Sequence, residues 1–193
     1  PADVVGLLRT AIRDDDPVMF LEHKALYGAK GEVPDGDYTI PFGHARLSRA
    51  GQDVTIVTCG LMVGFCERVA DKLAAEGIGC DVIDLRTTSP LDEEAILDSV
   101  EVTGRLIVVD ESVPRCSLAT DIISLVSEKA FSSLKAPPAM VTDLSCVLLV
   151  SHCISKNPAS AFLEFLGMAK PKPPLCDARL TPLGCSAQLT LST

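Results

Sequence analysis

The chain has 193 residues, 47% hydrophobic and 22% charged, with a formal net charge of -9 and no Trp. That balance suits a globular domain plus a smaller piece and excludes a disordered chain; the negative charge and few aromatics also exclude a nucleic-acid surface, which needs clustered Lys and Arg. No apolar run reaches the roughly 18 residues of a membrane span, and Pro1 to Gly6 has neither the basic nor the apolar region of a signal peptide, so a cytoplasmic protein, or a mature organelle form, is expected.

Residues 2–13, ADVVGLLRTAIR, put Val4, Leu7, Leu8, Ala11 and Ile12 at helical spacing, and Asp14, Asp15, Asp16 and Pro17 end that helix. The apolar run Val18 to Glu22, VMFLE, reads as a buried strand. A lone helix and strand cannot bury both their faces, so residues 1–26 are expected to close a domain that begins upstream. From Tyr27 to Arg49 the text is rich in Gly, Pro and Asp, which predicts an extended linker over 27–49.

The regular part covers 50–142. Val54 to Gly60 is a strand, Met62 to Glu76 an amphipathic helix with Met62, Cys66, Val69 and Leu73 on one face, and Gly77 its stop. Cys80 to Leu85 is the next strand; Ser89 and Pro90 break the chain, and Asp92, Glu93 and Glu94 open a helix over 92–100, where carboxylates suit the first turn. A strand over Arg105 to Glu111, a helix from Ser117 to Phe131 with Ile122, Leu125, Val126 and Ala130 inward, and a short strand over Pro138 to Thr142 complete the series. Val- and Ile-rich strands alternating with helices predict an α/β fold, a three-layer sandwich around a mostly parallel sheet with right-handed crossovers.

Eight cysteines without a Cys-x-x-Cys pair argue for reduced, packed thiols rather than zinc or disulfides. Gly60 and Gly64 alone fall short of a dinucleotide-binding Gly-x-Gly-x-x-Gly. His23, Lys24 and His44 have no orienting partner legible in sequence, so no catalytic residue is assigned. Ser151, His152 and Cys153 are adjacent, and adjacent side chains do not face one another on a helix or a strand. Arg86, Asp110 and Glu111 fall at strand ends on the rim where open α/β sheets meet ligands or partners, and are the candidates for subunit contact.

Five segments in fixed order carry a resemblance: PVMFLEHKALYG (17–28), GEVPDGDYTIPFG (31–43), DVTIVTCG (53–60), VIDLRTTSPLD (82–92) and TGRLIVVDE (103–111). Together they resemble the C-terminal part of the β subunit of thiamine-diphosphate-dependent 2-oxo acid dehydrogenases of the pyruvate and acetoin type. The resemblance implies a transketolase C-terminal-like domain over 50–142, preceded by the last helix and strand of a pyrimidine-binding domain. It also implies an E1 α subunit and a second β subunit as partners, contact with the acyltransferase core, and thiamine diphosphate with magnesium in the full complex. The cofactor-protonating glutamate and the magnesium-diphosphate motif of that family have no counterpart here, and no cofactor-binding residue is assigned; Asp35, Gly36 and Asp37 lack the motif's leading Gly and read as a turn. A structural potassium ion, held in such β subunits near a helix end, maps in part to Ala11, Asp14 and Asp16.

After Thr142 the character changes. Only Asp143, Glu164 and Asp177 of the 26 acidic residues lie there, against four basic residues and half of the cysteines. The family's expected Pro-Phe turn is absent, which makes residues 143–193 an atypical tail, partly disordered and expected to arise from a shifted reading frame, a splice variant or a gene-model error. The nucleotide sequence decides this: a shifted frame that restores the turn confirms it, and intact coding throughout sinks it.

Overall fold

The computed structural model describes residues 1–142. The expectations for the tail, including Ser151, His152 and Cys153, lie outside the described residues. The elements run α1 (Ala2–Arg13), β1 (Arg46–Arg49), β2 (Val54–Thr58), α2 (Leu61–Ala75), β3 (Cys80–Asp84), α3 (Glu93–Thr103), β4 (Leu106–Asp110), α4 (Leu118–Lys129) and β5 (Ala139–Thr142), with short 3-10 turns at 24–26 and 131–133.

The five strands form one sheet in the order β1-β3-β2-β4-β5; β2 to β5 are parallel and β1 runs antiparallel to β3. The chain steps from β2 outward to β3, then crosses back past β2 to β4 and on to β5. Right-handed crossovers in opposite directions put their helices on opposite faces. α2 accordingly covers one face, while α3 and α4 cover the other, giving the expected three layers.

Two cores result, and the period of two within each strand feeds both. Val54, Ile56, Cys80, Val82, Ile107 and Val109 pack with Met62, Cys66, Val69 and Leu73 of α2. Val57, Ile83, Leu106 and Val108 pack instead with Ile96 and Val100 of α3 and Ala119, Ile122 and Val126 of α4. β2 and β3 are buried at every position, which accounts for their Val and Ile content on both faces, with Thr55, Thr58, Asp81 and Asp84 the buried polar exceptions.

A polar network interrupts the second face at its amino end. The Thr55 hydroxyl lies 2.7 Å from that of Ser99 and 2.8 Å from that of Thr103, and Ser99 donates to Asp81 at 2.6 Å. The other Asp81 oxygen accepts the Gly51 N–H at 2.6 Å. Each oxygen named in this network therefore has a partner, which is the condition for tolerating polar groups there.

Caps set the helix ends. Asp92 accepts the Ala95 N–H at 3.1 Å to start α3, and Gly104 closes it at φ 71 in the left-handed region open to glycine. Ser117 and Thr120 form a reciprocal capping box at α4.

Two expectations need correction. Val18 to Glu22 is not a strand: no described strand lies beside it to take its backbone hydrogen bonds, and Met19 and Leu21 are each 84% exposed. The segment read as a linker over 27–49 ends in β1, whose one apolar residue, Leu47, points outward while Arg46 and Leu47 pair with Asp84 and Ile83. A short, charged strand at a sheet edge is the form that resists further pairing.

Candidate functional site

The site lies on the carboxyl rim of the sheet, where β2, β3 and β4 run out into Cys59, Arg86 and Glu111. β2 is the point at which the strand order reverses, the crevice favoured by ligands in open α/β sheets.

Arg86 follows β3 with φ 57, a backbone conformation uncommon for a long side chain. Its N–H donates to Asp84 Oδ1 at 3.2 Å, and its guanidinium reaches across the molecule to Asp3 of α1 at 2.5 Å. Arg46 of β1 completes the cluster, meeting Asp84 at 3.3 Å and Asp3 at 3.5 Å. Asp84 is nearly covered, and burial pushes its carboxyl above the ordinary range, opposed chiefly by Arg46. The Nε atoms of Arg46 and Arg86 are buried with no hydrogen-bond partner, so neither guanidinium is fully satisfied.

On the other side of β2, Asp110 ties its own loop together. It accepts from the Ser112 N–H at 3.0 Å, the Ser112 hydroxyl at 2.8 Å and the Ala119 N–H at 3.4 Å, joining the end of β4 to the start of α4. Glu111 meets His23 Nε2 at 3.2 Å. His23 Nδ1 accepts the Ala25 N–H at 3.2 Å, which leaves the ring proton on Nε2 for donation to Glu111. The structure thus gives Arg86 and Glu111 partners in the amino-terminal segment, which short-range spacing could not reveal. His44 is exposed, and Lys24 begins the 24–26 turn.

Cys59 sits between these two groups. Burial first, then the charges of Asp110, Asp84 and Glu111, push its thiol up to about 11; Cys80, in the core, is also raised to about 11, mainly by burial. Neither is a thiolate nucleophile near neutral pH. Cys66 is buried with Cys80 as expected, whereas Cys116 is exposed on the loop before α4.

These shifts carry a sign. The unfolded chain loses its Cys59 proton near pH 9 while the folded chain keeps it to about 11, so stability falls as pH rises between those values. At pH 10 the expected loss attributable to Cys59 is about 1.4 kcal/mol. Urea titrations of wild type and Cys59→Ala at pH 8 and pH 10 check it: the variant should lose less on the same change of pH.

At the far end of α1, Ala11 lies in the last turn and Asp14 caps the helix, its Oδ1 accepting the Asp16 N–H at 2.9 Å. Both carboxylates are exposed, and among the described residues no group of three or more His, Cys, Asp or Glu side chains is placed to hold a metal ion. Asp35 and Gly36 form the expected turn, with Gly36 at φ 88; Asp37 next to it pairs with Arg13 at 2.7 Å, and that hydrogen bond holds its carboxyl below the usual range.

A diphosphate needs free cations or open backbone amides. Here Arg86 and Arg46 are engaged by carboxylates, and Asp84, Asp110 and Glu111 lie along the rim. Among the described residues Arg86 and Arg46 leave no free guanidinium for thiamine diphosphate, and no step of its chemistry is routed through them.

The chain is 58% identical over 141 residues to the acetoin:2,6-dichlorophenolindophenol oxidoreductase subunit beta of Cupriavidus necator, a match covering 73% of this chain and 42% of that subunit. It is 41% identical to the pyruvate dehydrogenase E1 component subunit beta of Acholeplasma laidlawii over 177 residues, 89% of this chain and 54% of that subunit. The chain therefore spans about half the length of these relatives, and the second match extends past Thr142. Among solved structures it resembles a split-gene transketolase described as an inactive beta4 tetramer, with 26% identity and a TM-score of 0.55, covering 72% of this chain and 46% of that one. No helix among the described residues is long and apolar enough to cross a membrane. The model of the transketolase C-terminal domain matches residues 43–152, from just before β1 through the whole sheet, and this chain belongs to that family.

Proposed function

We propose that this chain is the carboxyl-terminal part of the β subunit of a thiamine-diphosphate-dependent 2-oxo acid or acetoin dehydrogenase E1 component. Its role is heterotetramer assembly and walling of the thiamine site, in the cytoplasm, rather than bond making. The observation that carries this reading is the match to β subunits of that class through the whole sheet. Residues 1–26 are then the end of a pyrimidine-binding domain and 50–142 the transketolase-type domain. Arg86, Asp110 and Glu111 mark the rim that faces an α subunit, a second β subunit standing nearby. Thiamine diphosphate and magnesium belong to the completed enzyme, where the cofactor supplies the carbanion-stabilising chemistry. Ala11 with Asp14 and Asp16 would give oxygen ligands to a potassium ion, a hard cation suited to carbonyl and carboxylate oxygen.

The test is reconstitution. The chain alone, then joined to the upstream half that the relatives possess, then co-expressed with an E1 α subunit, is assayed for 2-oxo acid- or acetoin-dependent reduction of 2,6-dichlorophenolindophenol. Activity is expected only in the last combination, with the chain co-purifying with α. Failure of the joined protein to bind α, or retention of thiamine diphosphate by the chain alone, overturns the proposal. In the second outcome the chain is an independent binding module.

A further inference from the structure

Two parts of the chain meet at the carboxyl rim. Residues 1–44 place no side chain in either core of the sheet domain among the described residues, and Ala45 is the first to pack there. α1 is bound instead to the segment that returns past it. Thr10 donates to the Ile40 carbonyl at 2.6 Å, the Ile40 N–H donates to the Gly6 carbonyl at 3.2 Å, and the Tyr38 hydroxyl donates to the Ala2 carbonyl at 2.8 Å. A Cβ on Gly6 would lie 2.6 Å from the Ile40 side chain, so the two segments approach as closely as glycine permits. Asp3, in the first turn of α1, shares that fixed frame.

On the sheet side, Arg86 stands two residues after the end of β3, with φ 57. An uncommon backbone conformation persists where neighbours hold it; here the Arg86 N–H donates to Asp84 Oδ1 while the guanidinium donates to Asp3 Oδ1 at 2.5 Å. Arg46 takes the other Asp3 oxygen at 3.5 Å. Two cations on the two oxygens of one carboxylate fix its direction as well as its distance. The Arg86 side chain is 17% exposed, so it is engaged within its own subunit and offers little surface to another chain. A second tie, His23 to Glu111 at 3.2 Å, lies at the end of β4, on the other side of β2.

We propose that Asp3, gripped by Arg86 and Arg46, sets the angle at which the domain ending near residue 45 meets the sheet domain, and that Arg86 is a positioning residue within its subunit rather than a contact for the α subunit. The rim still faces the α subunit; Arg86 shapes it from behind. Apolar faces slide past one another with little change in buried area, whereas a carboxylate held from two sides has one seat. With Asp3 released, the His23–Glu111 tie and the chain through residues 43–46 remain, so the domains turn against each other instead of parting. The inference rests on reading residues 1–26 as the close of an upstream domain, and not on the reaction of the completed enzyme.

The subunit joined to its upstream half tests it, as wild type, Asp3→Asn, Arg86→Asn and the double variant; Asn tolerates the positive φ at position 86. Spin labels on noncanonical residues at Asp15 and Glu101, both exposed, report the distance between the two domains by pulsed electron paramagnetic resonance. Wild type is expected to give one narrow distance and each single variant a broadened distribution. The double variant should broaden no further, because both substitutions break one contact. Titration with the α subunit separates positioning from contact: Asp3→Asn and Arg86→Asn should weaken binding by the same factor, and the double variant by no more. Unchanged distributions in both single variants overturn the proposal. So does an Arg86→Asn protein that binds α at least about tenfold more weakly than Asp3→Asn, since Arg86 then touches the partner directly. Loss of hydrogen-exchange protection in β2 and β4 also overturns it, by showing that Asp3 supports the whole fold. An α subunit that fails to bind wild type contradicts the assignment to an E1 component, and the distance distributions still decide the role of Asp3.

Discussion

The Gly51→Ala protein is expected to lose about 3 kcal/mol of stability, the upper end of what overpacking a close contact ordinarily costs. A Cβ at this position would stand 2.3 Å from both Cys80 N and Gly79 C, and 2.5 Å from Cys80 C. These are backbone atoms at the start of β3, so no side-chain rotation relieves the clash; either β3 moves away from the turn before β2, or the turn lifts. Lifting also draws the Gly51 N–H off Asp81, which then leaves a buried carboxylate oxygen short of a donor. Gly28→Ala is the control, because a Cβ there meets nothing within 4 Å; its stability should stay within about 0.5 kcal/mol of wild type. Urea unfolding by circular dichroism at constant m distinguishes the two, and a Gly51→Ala midpoint equal to that of Gly28→Ala refutes the account.

Arg46→Met is expected to cost about 2 kcal/mol at pH 8, most of it recovered in the Arg46→Met/Asp84→Asn double variant. Removing one partner of a covered pair leaves the other charge desolvated, which is costlier than the pair is worth. Asp84 is the covered member, its side chain 12% exposed, whereas Arg46 is 41% exposed, so the value sits below the range for a fully buried pair. The sign with pH follows from burial, which raises the folded-state pKa of Asp84 above its ordinary value, with Arg46 the main opposing influence. Taking Arg46 away raises it further. The penalty is thus present above that folded pKa and relieved as pH falls through it, when the folded chain takes up the proton first. The deficit of Arg46→Met should shrink from pH 8 towards pH 4. Asp84→Asn retains an oxygen for the Arg86 N–H, so the double variant tests charge rather than the turn. A deficit that is constant with pH, and additive with Asp84→Asn, would sink this explanation.

Most of the sheet was legible because its residues obey short-range rules. β2, β3 and β4 are Val- and Ile-rich runs bounded by Gly or Pro, and α2 carries Met62, Cys66, Val69 and Leu73 at helical intervals, as the structure has them. β1 escaped because Arg46–Arg49 has a single apolar residue and takes its strand form from β3 beside it, not from its own text. Val18 to Glu22 failed in the opposite sense: five residues suited to a strand have no neighbouring strand in the described part. At the rim, the positions of Arg86, Asp110 and Glu111 followed from where strands end. Their partners did not. Asp3 is 83 residues from Arg86, and a pairing at that separation leaves no periodicity to read.

The hydroxyls and carboxylate joining Thr55, Asp81, Ser99 and Thr103 bear on how this fold could be re-engineered. An apolar face accepts a helix at several rotations, because oil on oil has no direction. Four donors and acceptors that match only when Ser99 and Thr103 of α3 face Thr55 make one rotation distinguishable from its neighbours. Replacing the set by Val and Ala of similar volume should therefore broaden the methyl resonances of α3, as one packing gives way to several. The network functions as an address for α3, and the rim at the other end of the same strands inherits its geometry from that address.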